Sequence, residues 1–336
     1  MVRKDGFCMK AMVLYRQRER LKLTDIPVPR IKKEEVLIEV EACGICRTDL
    51  HILDRELTEP KLPLVMGHQI VGRIIRLGES VRGFKIGDRV GVPWLGYSCG
   101  KCKFCKSGRE NLCDKAKYTG YSIDGGFAEY CKANCRFIFK IPDRFSAVSA
   151  APFLCAGLIG FRSYNMIRDA KNLGIYGFGS AAHLLIQIAR FEGKRVFTFS
   201  RRGDSASVRF ARKLGAFWSG YSDQRAPEKL DGAIIFAPAG ELVVSALESV
   251  DRGGSVICGG IHMSDIPSFP YRLLWEERMI KSVANLTRRD GEEFFKLANE
   301  IHLKPEVTTY KLEETNEALE DLRNSKFVGS GVILIQ

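Results

Sequence analysis

The sequence predicts an α/β protein with a β-rich first part and a doubly wound parallel sheet in its second part. The 336 residues exceed what one ordinary core accommodates and fit two domains. Short strand-like runs separated by glycine and proline fill the first third of the chain. From residue 173 onward strand-like and helix-like runs alternate, which is typical of a parallel sheet with helices on both faces.

The strand-like runs of the first part favour a small barrel or an irregular sandwich. They cover residues 9–15, 36–40, 70–75 and 87–92. The first eight residues precede these runs, and we expect them to be a dispensable extension.

The alternating part begins with a short apolar strand at 173–176, a glycine-rich turn and a helical run at 181–191. The predicted elements that follow are strands 195–200, 232–236 and 254–258 and helices 204–214 and 241–250. For the last forty or so residues the pattern predicts one helix, 313–324, and one strand, 331–335.

The composition is that of a globular protein, with 45% hydrophobic and 27% charged residues. The 52 Lys and Arg outnumber the 40 Asp and Glu, which gives a net charge of +12. Because the basic residues are scattered, the pattern favours a soluble basic enzyme over a nucleic-acid-binding protein. Neither a secretory signal nor an apolar run long enough to cross a bilayer is visible. We therefore predict a cytoplasmic protein with no membrane or nucleic-acid partner.

Four of the 11 cysteines lie in one short loop, as the pattern Cys-x2-Cys-x2-Cys-x7-Cys. They are Cys99, Cys102, Cys105 and Cys113. Four thiolates at this spacing close tetrahedrally around zinc and leave no open position, so the predicted role is structural. Neighbouring lysines and an arginine offset the negative charge of such a site. Four free cysteines and an iron–sulfur cluster are the alternatives.

Three further candidate ligands, Cys46, His68 and Cys155, are far apart in the sequence. Two cysteines and one histidine leave zinc a fourth position for water or substrate, which is the arrangement that catalysis requires. Taken singly each residue is ordinary, because a lone buried cysteine is more often part of the core.

Several blocks of the chain resemble the zinc-dependent alcohol dehydrogenases of the medium-chain dehydrogenase/reductase family, and the resemblance covers nearly the whole sequence. The blocks are Cys46-Arg47-Thr48-Asp49-Leu50-His51, Gly67-His68, the four-cysteine loop, Cys155-Ala156-Gly157 and the glycine-rich turn. By this resemblance Cys46, His68 and Cys155 hold a catalytic zinc, so that each chain binds two zinc ions. Cys43 lies near by in sequence but does not match the ligand position.

The family also implies the domain organisation and the reaction. Residues 1–157 form a GroES-like catalytic domain, 158–291 a Rossmann domain, and 292–336 a segment that returns to the first domain. Hydride passes between a nicotinamide cofactor and an alcohol/aldehyde pair, and zinc polarises the oxygen. We expect a homodimer or homotetramer.

Four residues near the first ligand receive roles by the same resemblance. Thr48 and His51 match the relay that carries the alcohol proton to solvent, and imidazole suits this role because it titrates near neutrality. Asp49 matches a carboxylate that orients the histidine ligand. Arg47 is assigned to the cofactor site.

The chain departs from the family pattern at three positions. Gln69 replaces the usual glutamate after the ligand histidine, and a neutral amide does not offset zinc charge as a carboxylate does. Ile159 replaces a threonine that many members place beside the nicotinamide, and Ser330 stands where some members carry an arginine. None of the three removes a metal ligand, so we interpret them as tuning.

The glycine-rich turn fits the dinucleotide pattern G-x-G-x-x-A through Gly177, Gly179 and Ala182. The glycines permit a tight turn and let a pyrophosphate approach backbone N–H groups at the start of a helix. A tight strand–helix turn without a ligand is the alternative. Gly259 and Gly260, after strand 254–258, would let the nicotinamide lie near the backbone.

The end of strand 195–200 favours NADP(H) over NAD(H). NAD-binding sheets place a carboxylate at this point, whereas here Ser200 is followed by Arg201 and Arg202. A guanidinium forms charge-assisted, paired hydrogen bonds to phosphate. The alternatives are that the arginines are solvated loop charges, or that Asp204 binds the ribose.

An apolar substrate pocket is predicted from Leu57, Trp94 and Leu95, with simple core packing as the alternative for Trp94. Such a pocket suits a small or medium, mainly apolar alcohol or aldehyde. The nearest alternative function is a zinc-dependent polyol or sugar dehydrogenase of the same family. An alternative of another class is a zinc-binding nucleic-acid module, which the glycine-rich turn and the three-ligand set oppose.

Overall fold

The computed structural model describes residues 8–335 of the chain, in two compact units. The first unit comprises the described residues of Met1–Cys155, Leu286–Phe295 and Glu306–Gln336. The second unit comprises Ala156–Asn285 and Lys296–Pro305. The predicted N-terminal extension lies outside the described residues, except for Cys8, which begins the first strand.

Eighteen strands are present in the described chain. They are β1 (Cys8–Leu14), β2 (Lys22–Pro27), β3 (Glu35–Ile45), β4 (Leu64–Val65), β5 (Gln69–Leu77), β6 (Arg89–Val92), β7 (Leu95–Tyr97), β8 (Lys117–Tyr118), β9 (Tyr130–Asn134), β10 (Phe139–Lys140), β11 (Asn172–Tyr176), β12 (Arg195–Ser200), β13 (Trp218–Tyr221), β14 (Leu230–Ile235), β15 (Val250–Cys258), β16 (Met279–Ser282), β17 (Val307–Lys311) and β18 (Ser330–Leu334).

Nine α-helices connect or flank these strands in the same residues. They are α1 (Arg47–Leu53), α2 (Lys103–Lys106), α3 (Ala147–Ala150), α4 (Ala156–Asn165), α5 (Ser180–Phe191), α6 (Ser205–Lys213), α7 (Glu241–Ser249), α8 (Arg288–Ile301) and α9 (Thr315–Arg323). Within residues 8–335 no single helix has the length and apolar character to cross a membrane, and one bent pair, Ala147–Leu154 with Ala156–Asn165, meets both criteria jointly.

The first unit is built on a mixed sheet of order β10-β6-β5-β3-β18-β17, with β9 pairing on β3. The long strand β3 is apolar and mostly buried, and it lies antiparallel to β5 on one side and to the C-terminal strand β18 on the other. A three-stranded sheet, β2-β1-β4, and the ribbon β7-β8 complete this unit. The predicted β-rich first part is therefore confirmed.

The second unit contains a six-stranded parallel sheet of order β13-β12-β11-β14-β15-β16. The chain places β12 and β13 on one side of β11, and then β14, β15 and β16 on its other side. This reversal of strand order is expected to leave a crevice at the carboxyl ends of β11 and β14. The central strands are buried along nearly their whole length, as expected for a sheet covered on both faces. This confirms the predicted doubly wound sheet.

The prediction for the last forty or so residues was wrong in part. The helix α8 and the strand β17 are present in addition to the predicted helix and strand. α8 was missed because Gly291 interrupts its pattern, and glycine inside a helical run lowers the helix propensity. The structure explains this glycine: a side chain at position 291 would meet the ring of Phe139 at 2.1 Å. β17 is partly exposed and shows no strong apolar alternation.

Candidate active site

The sequence-distant residues Cys46, His68 and Cys155 come together in the first unit. Their ligand atoms all lie within 4.8 Å of one another. Cys46 Sγ is 3.1 Å from His68 Nε2 and 3.9 Å from Cys155 Sγ. The sheet explains the first contact, because the register pairs Gly44 with Gln69 and so places the residues that follow β3 beside those that precede β5.

The charges in this group favour a bound cation. The hydrogen bond with Cys155 holds the pKa of the Cys46 thiol well below its usual value, and the same bond together with burial raises the pKa of Cys155. Burial acts to lower the pKa of His68, but the Cys46 thiolate and the Asp49 carboxylate outweigh it and raise the pKa to about 10. Two sulfurs and one imidazole nitrogen in these anionic surroundings are a donor set that fits zinc with one open position.

Asp49 links the start of α1 to His68. Its carboxylate accepts a hydrogen bond from the Cys46 N–H at 2.9 Å, and its Oδ1 lies 3.3 Å from His68 Nδ1. Asp49 and His68 are fully buried, and burial raises the pKa of Asp49. The Nδ1 side of the ring thus faces a carboxylate while Nε2 faces Cys46, the arrangement that orients a histidine ligand.

The four cysteines of the predicted structural site also converge. The sulfurs of Cys99, Cys102, Cys105 and Cys113 all lie within 4.8 Å of one another, and Cys105 Sγ is 3.5 Å from Cys102 Sγ and 3.9 Å from Cys99 Sγ. The backbone N–H groups of Lys101 and Cys102 lower the pKa of Cys99 to about 6. Such spacings match the edges of a sulfur tetrahedron around zinc, so these four residues fit the ion.

The relay candidates lie on α1, which begins directly after Cys46. Arg47 is exposed and Thr48 half-buried in the first turn, and the Thr48 N–H donates to Cys46 Sγ at 3.3 Å. His51 is buried one turn later, and its Nδ1 contacts the carboxylate of Glu56. Sequence reasoning missed Glu56; a carboxylate five residues after His51 was the available signal.

Trp94 lies beside His68. Its ring centroid is 5.0 Å from that of His68 in an edge-on arrangement, and its faces stack on Tyr118 at 5.2 Å and Tyr121 at 5.8 Å. Leu95 is buried at the start of β7, and the half-buried Leu57 packs on the core of the first unit. Among the three predicted pocket residues, Trp94 contacts the metal-ligand candidate His68.

In the second unit the glycine-rich turn joins β11 to α5. Gly177 has a φ of 87°, a conformation that favours glycine, and Gly179 is the N-cap of α5. A side chain at Gly179 would have no atom within 4 Å, so open space lies above the start of the helix. Ala182 is fully buried, while Gly259 and Gly260 directly follow β15. The open space at an uncapped helix start fits a pyrophosphate.

The end of β12 carries a buried hydroxyl and exposed arginines. Ser200 is 2% exposed, and its Oγ has no hydrogen-bond partner among the described residues. Arg202 forms an ion pair with Asp223, whereas Arg201 is exposed and makes no ion pair within residues 8–335. Asp204 caps α6 by accepting from the Ser207 N–H at 3.0 Å. An unpaired hydroxyl and a free guanidinium thus remain for a ligand.

The three departures from the family pattern occupy different environments. Gln69 is buried at the start of β5 and packs against Gly44. Ile159 is half-buried on α4, and its carbonyl oxygen accepts from Ser163 Oγ at 2.7 Å. Ser330 is buried at the start of β18. Of the three departures, Gln69 is therefore the one next to a metal-ligand candidate: it directly follows His68 and begins the buried end of β5.

Together, a β-rich unit with two zinc-type ligand groups and a Rossmann sheet with a dinucleotide turn define the class of medium-chain dehydrogenases. Residues 32–143 match the family of the alcohol dehydrogenase GroES-like domain. A probable alcohol dehydrogenase AdhA of Mycobacterium tuberculosis is 40% identical over 92% of this chain and 91% of its own length. The chain belongs to the zinc-type medium-chain alcohol dehydrogenases, as the resemblance predicted.

Solved structures agree with this membership. A cinnamyl alcohol dehydrogenase of Sorghum bicolor superimposes with a TM-score of 0.90 at 25% identity, over 97% of each chain. An acetophenone reductase of Geotrichum candidum, solved in complex with NAD, superimposes with a TM-score of 0.88 at 28% identity, over 98% of this chain and 97% of its own. The GroES-like and Rossmann fold class is therefore confirmed.

Proposed function

We propose that this alcohol dehydrogenase depends on zinc and reduces small or medium, mainly apolar aldehydes with NADPH. The observation that carries the proposal is the convergence of Cys46, His68 and Cys155 beside the ring of Trp94. Zinc would be held by these three residues, with a second ion in the four-cysteine loop, and when bound it supplies a Lewis acid that polarises the aldehyde oxygen.

The two predicted domains have separate roles in this proposal. The GroES-like part, residues 1–157 with 292–336, provides the metal ligands and the pocket. The Rossmann part, residues 158–291, binds the nicotinamide cofactor at the turn of Gly177 and Gly179.

The side chains near the ligands would perform the remaining steps. Trp94 presents an apolar ring next to His68, which favours a substrate with an apolar body over a polyol. Thr48 and His51 are one turn apart on α1 and so share a helix face, from which they would pass the alcohol proton to solvent. Glu56 would keep the proton of the neutral imidazole on Nδ1, because a carboxylate accepts there, and leave Nε2 as the base.

Preference for NADP(H) rests on the end of β12. The last residue of β12 is Ser200 and not a carboxylate, Asp204 is engaged as a helix cap, and Arg201 has no ion-pair partner within the described chain. The acetophenone reductase was solved with NAD, so the preference for NADP(H) is argued from the residues of this chain. We infer that Arg201 binds the 2′-phosphate and that Arg202, held by Asp223, contributes less.

The experiment measures oxidation of NADPH and NADH with a panel of small aldehydes and keto sugars. We expect NADPH with apolar aldehydes to have the highest kcat/KM. Arg201→Ala should lower kcat/KM for NADPH by about 10- to 100-fold, the value of a charged hydrogen bond, and leave NADH unchanged. Arg202→Ala is the matched control and should show a smaller loss.

Two results would contradict this proposal. A wild type that prefers NADH, or an Arg201→Ala variant with unchanged NADPH use, removes the cofactor assignment. Higher activity on keto sugars than on apolar aldehydes would favour the polyol dehydrogenase instead. The proposed dimer or tetramer and the cytoplasmic location are tested by ultracentrifugation and by cell fractionation.

A further inference from the structure

The segment of residues 54–61, which directly follows α1, is under local backbone strain. Arg55 and Glu59 both have left-handed backbone conformations, with φ of 68° and 62°. Residues other than glycine adopt this region at an energetic cost, and such conformations persist where surrounding contacts impose them. Glu56, the partner of His51, lies between these two residues.

Tertiary contacts hold this segment at several points of the first unit. Arg323 on α9 forms two hydrogen bonds with the Asp54 carboxylate, at 2.6 and 2.8 Å. Gln17 Nε2 donates to the Leu57 carbonyl at 2.8 Å. Near Glu56 the tyrosine hydroxyl of Tyr121 donates to the carbonyl of Thr58.

The loop that carries Tyr121 is itself fixed against the ligand region. The N–H of Lys61 donates to the Tyr121 carbonyl at 2.9 Å, and the Lys61 ammonium pairs with Asp124. A side chain at Gly120 would meet the backbone of Gly67, the residue before His68, at 2.9 Å. The ring of Tyr121 stacks on Trp94. One residue therefore contacts both the proposed pocket wall and the segment that bears Glu56.

We propose that Tyr121 is a positioning residue for the proton relay: its hydroxyl holds the strained 54–61 segment so that Glu56 stays on His51. The inference rests on the proposed function, because the relay serves alcohol oxidation. Tyr121 acts indirectly: its hydroxyl binds the carbonyl of Thr58, and the segment that it holds carries Glu56 to His51. The role therefore requires no contact of Tyr121 with the metal ligands or the reacting atoms.

The test uses Tyr121→Phe, which removes the hydroxyl and keeps the ring on Trp94. We expect kcat for alcohol oxidation to fall by about 3- to 10-fold with KM for the alcohol unchanged, since general base catalysis is impaired while the pocket wall stays. Added imidazole buffer should restore most of the rate. Glu56→Gln should show the same loss, and the double variant should show no further loss.

Amide hydrogen exchange provides a readout that needs no activity. Exchange at Glu56 and Leu57, whose N–H groups donate to the His51 carbonyl at 2.9 and 3.0 Å, should quicken in Tyr121→Phe. Tyr118→Phe is the matched control, because this ring also stacks on Trp94 but its hydroxyl makes no hydrogen bond in the described chain; its exchange should equal that of the wild type.

The outcomes separate the two proposals. Unchanged exchange in Tyr121→Phe, additive losses in the double variant, or a lost rate that imidazole does not restore would overturn the role of Tyr121. A zinc-loaded wild type without dehydrogenase activity would overturn the proposed function, and the exchange experiment would still decide whether Tyr121 holds the segment.

Discussion

A buried histidine in the Rossmann unit should make the protein sensitive to mild acid. His183 occupies the first turn of α5, is fully buried, and has its ring 5.8 Å from that of Phe210. Burial lowers its pKa from 6.5 to about 4, against a smaller opposing effect of the backbone at Gly179 and Ser180. His183 therefore remains neutral in the folded protein at pH values where the unfolded chain is protonated.

The sign and size of the effect follow from this difference. Protons bind the unfolded chain first, so the free energy of unfolding is highest above the unfolded pKa and falls as the pH drops from about 6.5 to about 4. The full difference corresponds to about 3 kcal/mol, of which about 2 kcal/mol is lost between pH 7 and pH 5.

Urea unfolding of the wild type and His183→Gln at about pH 7 and pH 5 checks this prediction. The wild type should lose about 2 kcal/mol more than the variant over this interval, because glutamine does not titrate. Carboxylates with lowered pKa values, such as Glu110, are present in both proteins and cancel in the comparison. The exposed His302→Gln is the control and should follow the wild type. Equal losses in wild type and His183→Gln would refute the reasoning.

Three further predictions concern the metal centres and the relay. Cys155→Ser should lower turnover by about 100-fold or more with the fold retained, whereas Cys102→Ser should mainly lower the melting temperature. Elemental analysis should find two zinc ions in the wild type and one in each variant, and reversed phenotypes would contradict the division into catalytic and structural sites. Gln69→Glu adds a carboxylate in a buried strand next to His68 and should change kcat by about 10-fold with zinc content intact; identical kinetics would show that the departure has no consequence. His51→Gln should slow alcohol oxidation most near neutral pH and recover with added buffer base, and an unchanged pH–rate profile would remove His51 from the mechanism.

The strands of the parallel sheet could be predicted because each carries a local signal. The run from Leu173 to Tyr176 and the strand β12 are short, apolar and followed by turns, which distinguishes them from surface elements. The four-cysteine loop could also be predicted as a metal-site candidate, because all four cysteines lie within 15 consecutive residues, from Cys99 to Cys113.

Other parts of the site depend on contacts that no local pattern records. Cys46 and Cys155 are 109 residues apart, so their pairing was inferred from the family resemblance and not from spacing. The stacking of Tyr121 on Trp94 and the contact of Glu56 with His51 arise from how loops pack on the sheet. Loop packing is determined by tertiary contacts and leaves no periodicity in the sequence.

The placement of β18 between β3 and β17 has a consequence for synthesis on the ribosome. Gly331 pairs with Ile45, so β3, near the start of the chain, pairs with β18 only after β18 has been synthesised near the end. Until residues 330–334 leave the exit tunnel, one edge of the apolar strand β3 has no partner in the main sheet at that register. Unpaired apolar edges recruit other chains. Nascent chains arrested shortly before residue 330 should therefore bind chaperones and aggregate more than released full-length chains.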